Sequence, residues 1–399
     1  MKVSLTHKIV SRLKKQGPIG LLCVALIKMG NWLQKFGFML EKRIFLSNGK
    51  KAERKHYGSY PGVLEIVQRS YEQDTGSILE PRSVHEDVAW IIPPFSKGSG
   101  GHTTIFRFIS GLEKLGVKCK IYILNDMDVY LNPTKLREDI CQFFSPILAD
   151  VEVLTSSDMV RDANILICTS WQTAFAARIM PANRKIYFMQ DYEPYFSPVG
   201  SYYFFAEQTY RMGFEYFTAG PWLLSIAKDK FNGEGDFFYL CPDRSNYYPR
   251  AVTSLRPLLK IKEDRNESRE RLFLIGLYNR AHTPRRCVEM VWVALSLLAE
   301  KNYPFKVLTF GDDEHRVLPF LSEELGILNH DELAEVYSAC DIVIAPSATN
   351  LSLLAREVMA CGTIVLDLEG ENTDQQLHHM EDSVLCRPEV SEIYKALES

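Results

Sequence analysis

The sequence predicts an α/β protein made of two Rossmann-like domains. Short apolar strands alternate with helical segments between residues 88 and 240, a pattern typical of a parallel sheet. Residues 340–368 read as a buried strand, a polar loop, a helix and a second buried strand. The length of 399 residues, with 46% hydrophobic side chains, is enough for two hydrophobic cores.

Composition divides the chain into five segments with different expected roles. Two long segments carry the strand and helix patterns, and a charge-rich stretch separates them. The end of the chain, residues 381–399, is expected to form a short helix that packs back across the cleft between the domains. The predicted segments are a basic helical extension at 1–57, a connector at 58–87, the first Rossmann-like domain at 88–250, an inter-domain linker at 251–271 and the second Rossmann-like domain at 272–399.

The N-terminal extension differs in charge from the rest of the chain. Residues 1–56 hold thirteen lysines and arginines against two glutamates, a net charge of +11, whereas the whole chain carries −4. The uncharged run at 16–27 is shorter than the roughly 20 residues that span a bilayer, and it lacks the cleavage site of a signal peptide. Apolar residues at helical spacing among basic ones favour an amphipathic helix on an anionic membrane surface. A helix that packs on this protein or on a partner is the alternative.

Several classes of protein are disfavoured by composition. Because the chain outside the extension is acidic, we expect no nucleic-acid-binding body. The nine cysteines are scattered and form no C-x-x-C pair, which favours a reduced, cytoplasmic chain without zinc site or disulfide framework. Asp126 and Asp128 form a D-x-D motif that could hold a metal against a diphosphate. Such short acidic motifs are frequent by chance, so we expect no metal and no other cofactor.

A glycine-rich segment follows the first predicted strand, at residues 95–104. Glycines at 98, 100 and 101 would let the backbone approach a ligand at the start of the next helix. The spacing is not G-x-G-x-x-G, and no acidic residue follows at the ribose-reading position, so a NAD site is disfavoured. A tight turn between strand and helix explains the glycines equally well.

Acidic and aromatic side chains follow the predicted strand at 185–190. Carboxylates accept hydrogen bonds from sugar hydroxyls, and aromatic faces stack on sugar rings. These residues therefore indicate a glycan-binding or catalytic role at the end of the strand. The alternative is a rim capped by neighbouring arginines. The residues are Asp191, Tyr192, Glu193 and Tyr195.

Polar residues also end the predicted strand at 341–345 and begin the helix that follows, where open α/β sheets bind ligands. Free backbone N–H groups at this place suit a phosphate. Glu357 lies two turns into the helix and can accept hydrogen bonds from sugar hydroxyls. The polar residues of this loop are Ser347, Thr349, Asn350 and Ser352.

Two arginines follow the first strand of the second domain, which is predicted at 272–277. Arg280 and Arg285 stand near a junction of strand and helix. Guanidinium groups there would neutralise a diphosphate and stabilise the charge of a leaving group. The alternative is a pair of surface arginines on a solvated loop.

Four segments resemble one family, the retaining glycosyltransferases of family 4, which have the GT-B fold of two Rossmann-like domains facing across a cleft. EVMACGTIVL, preceded by LNHDELAEVYSACDIVIAPS, resembles the donor-binding signature of that family. YNRAHTPRRC resembles its diphosphate clamp. QDYEPYF and PFSKGSGGHTTIFR resemble segments of the bacterial rhamnosyltransferases that build surface and S-layer polysaccharides.

The resemblance implies a donor site on the second domain. Glu357 would hold the ribose of a nucleotide-sugar, and Arg280 and Arg285 its diphosphate. The family places a second glutamate where this chain has Thr349, so the contacts to the transferred sugar are expected to differ. The base would bind to backbone groups, and phosphate or sugar oxygens to amides, at Ile327, Leu328, Thr349, Asn350 and Leu351.

The resemblance also implies an acceptor site on the first domain. The expected catalytic candidates are His102, Asp191 and Glu193. The expected lining of the acceptor side of the cleft is Gly100, Gly101, Thr103 and Tyr192.

The function implied is a retaining, metal-independent glycosyltransferase. It would move a sugar, with dTDP-rhamnose as the favoured donor, onto a growing bacterial surface glycan carried on a lipid. A nucleotide-sugar epimerase of the same fold is the alternative enzyme. A non-catalytic glycosyltransferase-like subunit, tethered to a partner by the basic extension, is the alternative outside enzymes.

Overall fold

The computed structural model describes residues 61–72, 87–125, 131–156, 158–259, 261 and 272–399. The predicted amphipathic extension, the D-x-D aspartates Asp126 and Asp128, and most of the predicted linker therefore lie outside the described residues. The described part of the chain forms two parallel β-sheets with helices packed against them.

The first sheet has seven strands in the order β3-β2-β1-β4-β5-β6-β7, and each strand runs parallel to its neighbours. The order reverses between β1 and β4, which makes the crevice at their carboxyl ends a topological switch point. A helix at Pro61–Glu72 precedes the sheet, and a 3-10 turn lies at Glu193–Phe196. The elements are α1 (Pro61–Glu72), β1 (Val88–Ile92), α2 (Gly100–Lys114), β2 (Cys119–Leu124), α3 (Pro133–Phe143), β3 (Asp150–Leu154), β4 (Ala163–Cys168), α4 (Trp171–Arg178), β5 (Ala182–Met189), α5 (Ser201–Thr209), β6 (Glu215–Ala219), α6 (Pro221–Phe231) and β7 (Gly235–Phe238).

The second sheet has six strands in the order β10-β9-β8-β11-β12-β13, again all parallel. Its order repeats the Rossmann pattern of the first sheet, with the reversal between β8 and β11. The elements are β8 (Phe273–Tyr278), α7 (Val288–Glu300), β9 (Phe305–Phe310), β10 (Ser322–Glu324), α8 (His330–Ala339), β11 (Ile342–Ile344), α9 (Leu353–Ala360), β12 (Ile364–Leu368), α10 (Glu371–Asp374), β13 (Ser383–Cys386) and α11 (Val390–Glu398).

The strand β1 shows why both faces of the first sheet are covered. All five of its residues, VAWII, are buried. Ala89 and Ile91 belong to one apolar cluster, whereas Val88, Trp90 and Ile92 belong to another on the opposite face. Alternate side chains of a strand point to opposite faces, so a continuous apolar run requires helices on both sides of the sheet.

The predicted fold class is confirmed, and two details of the prediction fail. The elements α3, β3 and β10 were not predicted. Most side chains of α3 are polar and only Ile140 is buried, and β10 has only three residues. The prediction that residues 381–399 return across the cleft is wrong. The helix α11 packs instead on α7 of its own domain, where Ile393 is buried in a cluster with Val291 and Leu295.

Candidate functional site

The carboxyl ends of the strands of both sheets meet at Asn350. The Asn350 side-chain amide donates hydrogen bonds to the carbonyl oxygens of Gln190 at 2.9 Å and Ala219 at 2.8 Å. Gln190 follows β5 and Ala219 ends β6, whereas Asn350 lies in the loop between β11 and α9. Because ligands of open α/β sheets bind at carboxyl strand ends, this seam between the two domains is the candidate site.

Asp191 is the charged centre of the seam. Its Oδ2 accepts a hydrogen bond from Thr349 Oγ1 at 2.8 Å, and its Oδ1 accepts one from the Asn350 backbone N–H at 3.1 Å. Arg285 Nε lies 3.8 Å from Oδ2. Burial raises the pKa of Asp191, while Arg285 and the two hydrogen bonds oppose that rise. Three residues predicted for the donor thus surround one predicted for catalysis.

Of the two arginines predicted to clamp a diphosphate, Arg285 lies beside Asp191. The Arg285 guanidinium lies 4.1 Å from the centroid of the Phe196 ring, and Arg285 Nε is buried without a hydrogen-bond partner. Arg280 is turned to the Tyr278 hydroxyl, which accepts a hydrogen bond from it at 3.1 Å. The Arg285 carbonyl oxygen accepts a hydrogen bond from the Ala348 N–H at 2.9 Å, which joins the clamp to the Thr349–Asn350 loop. This arrangement can bind an oxyanion.

The loop between β11 and α9 is held in place by its own residues and by Asp367 of β12. The Ser347 hydroxyl donates to the Asn350 carbonyl at 2.7 Å, and the Ser347 N–H donates to Asp367 Oδ1 at 2.8 Å. Leu351 is buried in the core of the second domain, and the Ser352 side chain caps α9. The backbone amide of Asn350 is therefore fixed at the start of this helix.

Glu357 lies on α9 in a nearly closed environment. Burial raises its pKa to about 7, and a hydrogen bond from the Tyr247 hydroxyl and the charge of Arg107 oppose the rise. Tyr247 Oη is also hydrogen-bonded to His330 Nδ1 at 2.8 Å. A carboxyl group with a pKa near neutrality can switch to an ionised acceptor of sugar hydroxyls.

The predicted base-binding segment lies between β10 and α8. Ile327 is half-exposed, and the glycine-rich loop of the first domain comes close to it, since a Cβ at Gly98 would lie 3.9 Å from Ile327 Cγ2. Leu328 packs on the core of the second domain. Beside this segment lies a cavity of about 300 Å³, with Phe310, Leu325 and Gly326 in its lining. The lining also includes four acidic residues, Asp312, Asp313, Glu314 and Glu324.

His102 is held on the first turn of α2. Its Nδ1 is hydrogen-bonded to the Ser99 hydroxyl at 2.7 Å, and Phe95 and Phe106 pack around the ring. Burial lowers the pKa of His102 to about 4, so the imidazole is neutral at pH 7. The adjacent Gly101 carbonyl accepts a hydrogen bond from the Gln190 side chain at 3.1 Å.

The remaining residues predicted for this loop are at the start of α2 as well. Gly100 is exposed, and Thr103 is half-buried with its hydroxyl donating to the Ser99 carbonyl at 3.1 Å. The Thr103 hydroxyl is therefore used within the glycine-rich segment itself.

Two further predicted residues point into the core of the first domain. The Tyr192 ring is buried and stacks on Tyr210 with 5.6 Å between centroids. Glu193 Oε2 accepts a hydrogen bond from the backbone N–H of Trp171, the first residue of α4, at 2.7 Å. Burial raises the pKa of Glu193 to about 8. In this arrangement Tyr192 offers no face for a sugar, and Glu193 closes a helix N-terminus.

Several residues of the site were not among those predicted. Gln190 and Ala219 supply carbonyl oxygens to Asn350, and Tyr247 and His330 lie beside Glu357. Backbone carbonyls leave no trace in a sequence. The polar residues NYY just before the linker were the one available signal for Tyr247.

The chain is similar in sequence to a curated protein. It is 26% identical over 355 residues to the O-antigen biosynthesis protein RfbC of Myxococcus xanthus, in an alignment that covers 86% of this chain. The chain spans only 26% of the length of that relative. No family model matches the chain.

Solved structures resemble the chain over both domains. Anabaena Alr3699/HepE in complex with UDP-glucose aligns with a TM-score of 0.58 and 14% identity, over 79% of this chain and 89% of that one. A glycosyltransferase from Rickettsia africae aligns with a TM-score of 0.57 and 13% identity, over 79% and 88%. Sucrose-phosphate synthase from Thermosynechococcus elongatus gives 0.56 and 13%, over 79% and 89%. The chain has the GT-B fold. In GT-B terms, the Asn350 seam is the cleft between the domains.

Two features of the described residues concern the membrane and metal expectations. No helix among them is long and apolar enough to cross a membrane. Within the same residues, no group of three or more His, Cys, Asp or Glu side chains could hold a metal ion. The D-x-D motif lies outside the described residues.

Proposed function

We propose that this protein is a glycosyltransferase that takes its sugar from a nucleotide diphosphate sugar and adds it to a bacterial surface polysaccharide. The observation that carries the proposal is the convergence of Arg285, the Thr349 hydroxyl and the Asn350 amide at the seam of a GT-B fold. Hydroxyl, amide and guanidinium donors together recognise phosphate oxygens. The likeness to an O-antigen biosynthesis protein supports the polysaccharide.

In this proposal the donor lies on the second domain. Glu357, once ionised, accepts hydrogen bonds from the sugar hydroxyls of the nucleoside, and Ile327 and Leu328 flank the base beside the cavity of about 300 Å³. Arg280 and Arg285 bind the diphosphate. As the bond from sugar to phosphate breaks, negative charge grows on the leaving phosphate, and guanidinium groups stabilise it.

The acceptor enters from the side of the first domain. Its attacking hydroxyl approaches past the His102 loop and Asp191. Burial lowers the pKa of His102 to about 4, which makes it a weak base, and the Asp191 oxygens already accept hydrogen bonds from Thr349 and Asn350. The leaving phosphate therefore helps to remove the proton of the acceptor hydroxyl, and attack occurs on the donor face that it leaves, with retention at the anomeric carbon.

The finer assignment is to dTDP-rhamnose as donor, without a metal ion. Support for rhamnose comes from the segments QDYEPYF and PFSKGSGGHTTIFR, which resemble rhamnosyltransferases of bacterial surface glycans. Support for a metal-free reaction comes from the clamp arginines, whose charge can do the electrostatic work of a cation. An acceptor carried on a lipid fits the basic segment 1–56, which we propose binds an anionic membrane surface.

Nucleotide binding is the first test. Thermal melts of the full chain are recorded with dTDP, UDP, GDP and ADP, for the wild type and for Glu357→Ala and Arg280→Ala. A ligand at about 100 times its dissociation constant adds roughly 2.7 kcal/mol to the free energy of unfolding. We expect selective stabilisation by dTDP that both variants lose, and that the surface variant Arg184→Ala retains. If none of the four nucleotides raises the melting temperature of the folded wild type, the proposal is contradicted.

Turnover separates the transferase from its alternatives. Consumption of dTDP-rhamnose that requires an acceptor glycan supports the transferase. Conversion of the donor without any acceptor would indicate an epimerase, and binding without turnover would indicate a non-catalytic subunit. For the membrane proposal, removal of residues 1–56 is expected to abolish sedimentation with anionic liposomes while nucleotide affinity stays unchanged.

A further inference from the structure

The carboxylate of Asp191 lies at the seam among groups that can bind an anion. Asp191 belongs to the first domain, and three groups of the second domain surround its carboxylate. They are the Thr349 hydroxyl at 2.8 Å, the Asn350 N–H at 3.1 Å and Arg285 Nε at 3.8 Å. The Tyr192 N–H, at 2.8 Å from Oδ1, is the local contribution of the first domain.

The same three groups are those that the proposed function assigns to the donor phosphates. A carboxylate and a phosphate are both oxyanions, and both accept hydrogen bonds from N–H and O–H donors at 2.8–3.1 Å. Arg285, at 3.8 Å, attracts either anion by its charge. Asn350 N–H has one hydrogen to donate, and it already points to Asp191 Oδ1. It cannot donate a full hydrogen bond to a phosphate oxygen while that contact is made.

Electrostatic repulsion is a second reason why a diphosphate cannot bind while Asp191 is in this position. Asp191 is largely buried, with a side chain 16% exposed. An approaching diphosphate would bring further negative charge next to this carboxylate, and like charges in a poorly solvated site repel strongly. Arg285 and Arg286 are the cations whose charges act on Asp191, so both anions would compete for them.

We infer that the Asp191 carboxylate occupies the donor phosphate site of the ligand-free protein and must be displaced when a nucleotide diphosphate binds. This inference rests on the proposed function. It makes Asp191 an intramolecular competitor of the donor. Displacement frees the carboxylate beside the reacting carbon, where it can accept a hydrogen bond from the acceptor hydroxyl. Donor binding thus prepares the acceptor side of the cleft.

Other contacts across the seam do not use this site and provide the control. Trp222 Nε1 in the first domain donates to Glu371 Oε2 in the second at 3.3 Å. Glu371 is therefore also a carboxylate that crosses the seam, and Glu371→Gln removes its charge without touching Arg285 or Asn350. Loosening of the domain contact would affect both carboxylate variants alike, whereas competition for the phosphate site involves Asp191 alone.

The test measures the affinity of the full chain for dTDP, UDP and inorganic pyrophosphate by titration calorimetry. Asp191→Asn keeps the size of the side chain and an acceptor for the Tyr192 and Asn350 N–H groups, but it removes the charge. We expect this variant to bind the diphosphates about tenfold more tightly than the wild type, a difference of about 1.4 kcal/mol. Glu371→Gln should bind as the wild type does. Asp191→Ser is made in parallel, should tighten binding likewise, and replaces Asp191→Asn if that variant does not fold.

Each other outcome overturns the inference in a distinguishable way. If the Asp191 variants bind a diphosphate as tightly as the wild type does, the carboxylate does not compete with the ligand. If they bind it more weakly, the carboxylate helps to hold the ligand. Either result would overturn the inference and leave the proposed function standing. Tighter binding by Glu371→Gln as well would assign the effect to a loosened seam. Absence of binding in every variant would overturn the inference together with the proposed function.

Discussion

The Asn350 amide nitrogen lies 2.8 Å from the Ala219 carbonyl oxygen, and this hydrogen bond joins a loop of one sheet to a strand end of the other. A second bond from the same nitrogen reaches the Gln190 carbonyl at 2.9 Å. Since each hydrogen of the amide has its own acceptor, the side chain binds the carboxyl ends of β5 and β6 at the same time. The seam is thus held by a neutral group that no donor phosphate needs to displace.

Replacement of Asn350 by aspartate tests this contact. The new carboxylate would face two carbonyl oxygens and donate no hydrogen bond, so we expect a loss of about 3 kcal/mol in the free energy of unfolding. Urea denaturation at pH 7 measures it. Asn183→Asp, at an exposed position, is the control and should change stability by less than about 0.5 kcal/mol. An equal loss in both variants would contradict the role given to Asn350.

Glu357 predicts a pH dependence of donor binding. Burial raises its pKa to about 7, so the carboxyl is largely protonated at pH 6 and largely ionised at pH 8. Only the ionised form accepts hydrogen bonds at both oxygens. The affinity for dTDP-rhamnose or UDP-glucose should therefore rise between pH 6 and pH 8, and Glu357→Gln should bind weakly and without this rise. Nucleotide-sugars suit the measurement because their diphosphate esters do not titrate in this range.

Tyr247 predicts a shift of that same profile. Its hydroxyl donates a hydrogen bond that lowers the pKa of Glu357, and it is itself fixed by His330 Nδ1 at 2.8 Å. In Tyr247→Phe the pKa of Glu357 should rise further, so the gain in donor affinity should move to higher pH. The neighbouring Tyr248 is 46% exposed and stacks with Arg250. Tyr248→Phe should not change the pH dependence of donor affinity. If Tyr247→Phe does not change it either, the Tyr247 hydroxyl does not set the pKa of Glu357.

Glu193 predicts a pH dependence of stability. Burial raises its pKa from 4.5 to about 8 in the folded chain, so between these values the folded state binds more protons than the unfolded state. Stability then falls as the pH rises from about 5 to above 8. The stability of Glu193→Gln relative to the wild type should therefore rise by a few kcal/mol between pH 6 and pH 9, on the order of magnitude that such a shift implies.

Urea unfolding at the two pH values measures that difference. The control is Glu234→Gln, since Glu234 is exposed, and its stability should follow the wild type at both pH values. A Glu193→Gln variant that loses stability equally at pH 6 and pH 9 would show that the carboxyl matters through packing alone.

Replacement of glycine by alanine should have opposite effects on stability at Gly111 and Gly235. Gly111 lies inside α2 with nothing within 4 Å of a built Cβ, so Gly111→Ala should stabilise the protein by about 0.5–1 kcal/mol. At Gly235 the Cβ would lie 1.9 Å from the Tyr216 carbonyl oxygen in the neighbouring strand. Gly235→Ala should cost more than about 3 kcal/mol or prevent folding. Melting temperatures compare the two directly, and a stable Gly235→Ala variant would contradict the packing of β6 on β7.

The sequence by itself determined the fold class and most elements, because these depend on local signals. The helices Pro221–Phe231 and His330–Ala339 begin and end where they were predicted. The first has a proline at its start and the second has a capping box between Asn329 and Glu332. The helix α3 also has a cap at Asn132 and a proline at its start, but it was not predicted because most of its side chains are polar.

The tertiary structure alone decided how the site residues meet. The sequence placed Asp191 and Asn350 at two strand ends, but 159 positions separate them, and no periodicity encodes a contact at that range. The packing of the two sheets brought the Asp191 carboxylate onto the amide and arginine expected for phosphate, and turned Tyr192 and Glu193 inward. Polar groups removed from water must find partners wherever the fold offers them, so the choice of partner is a property of the folded chain.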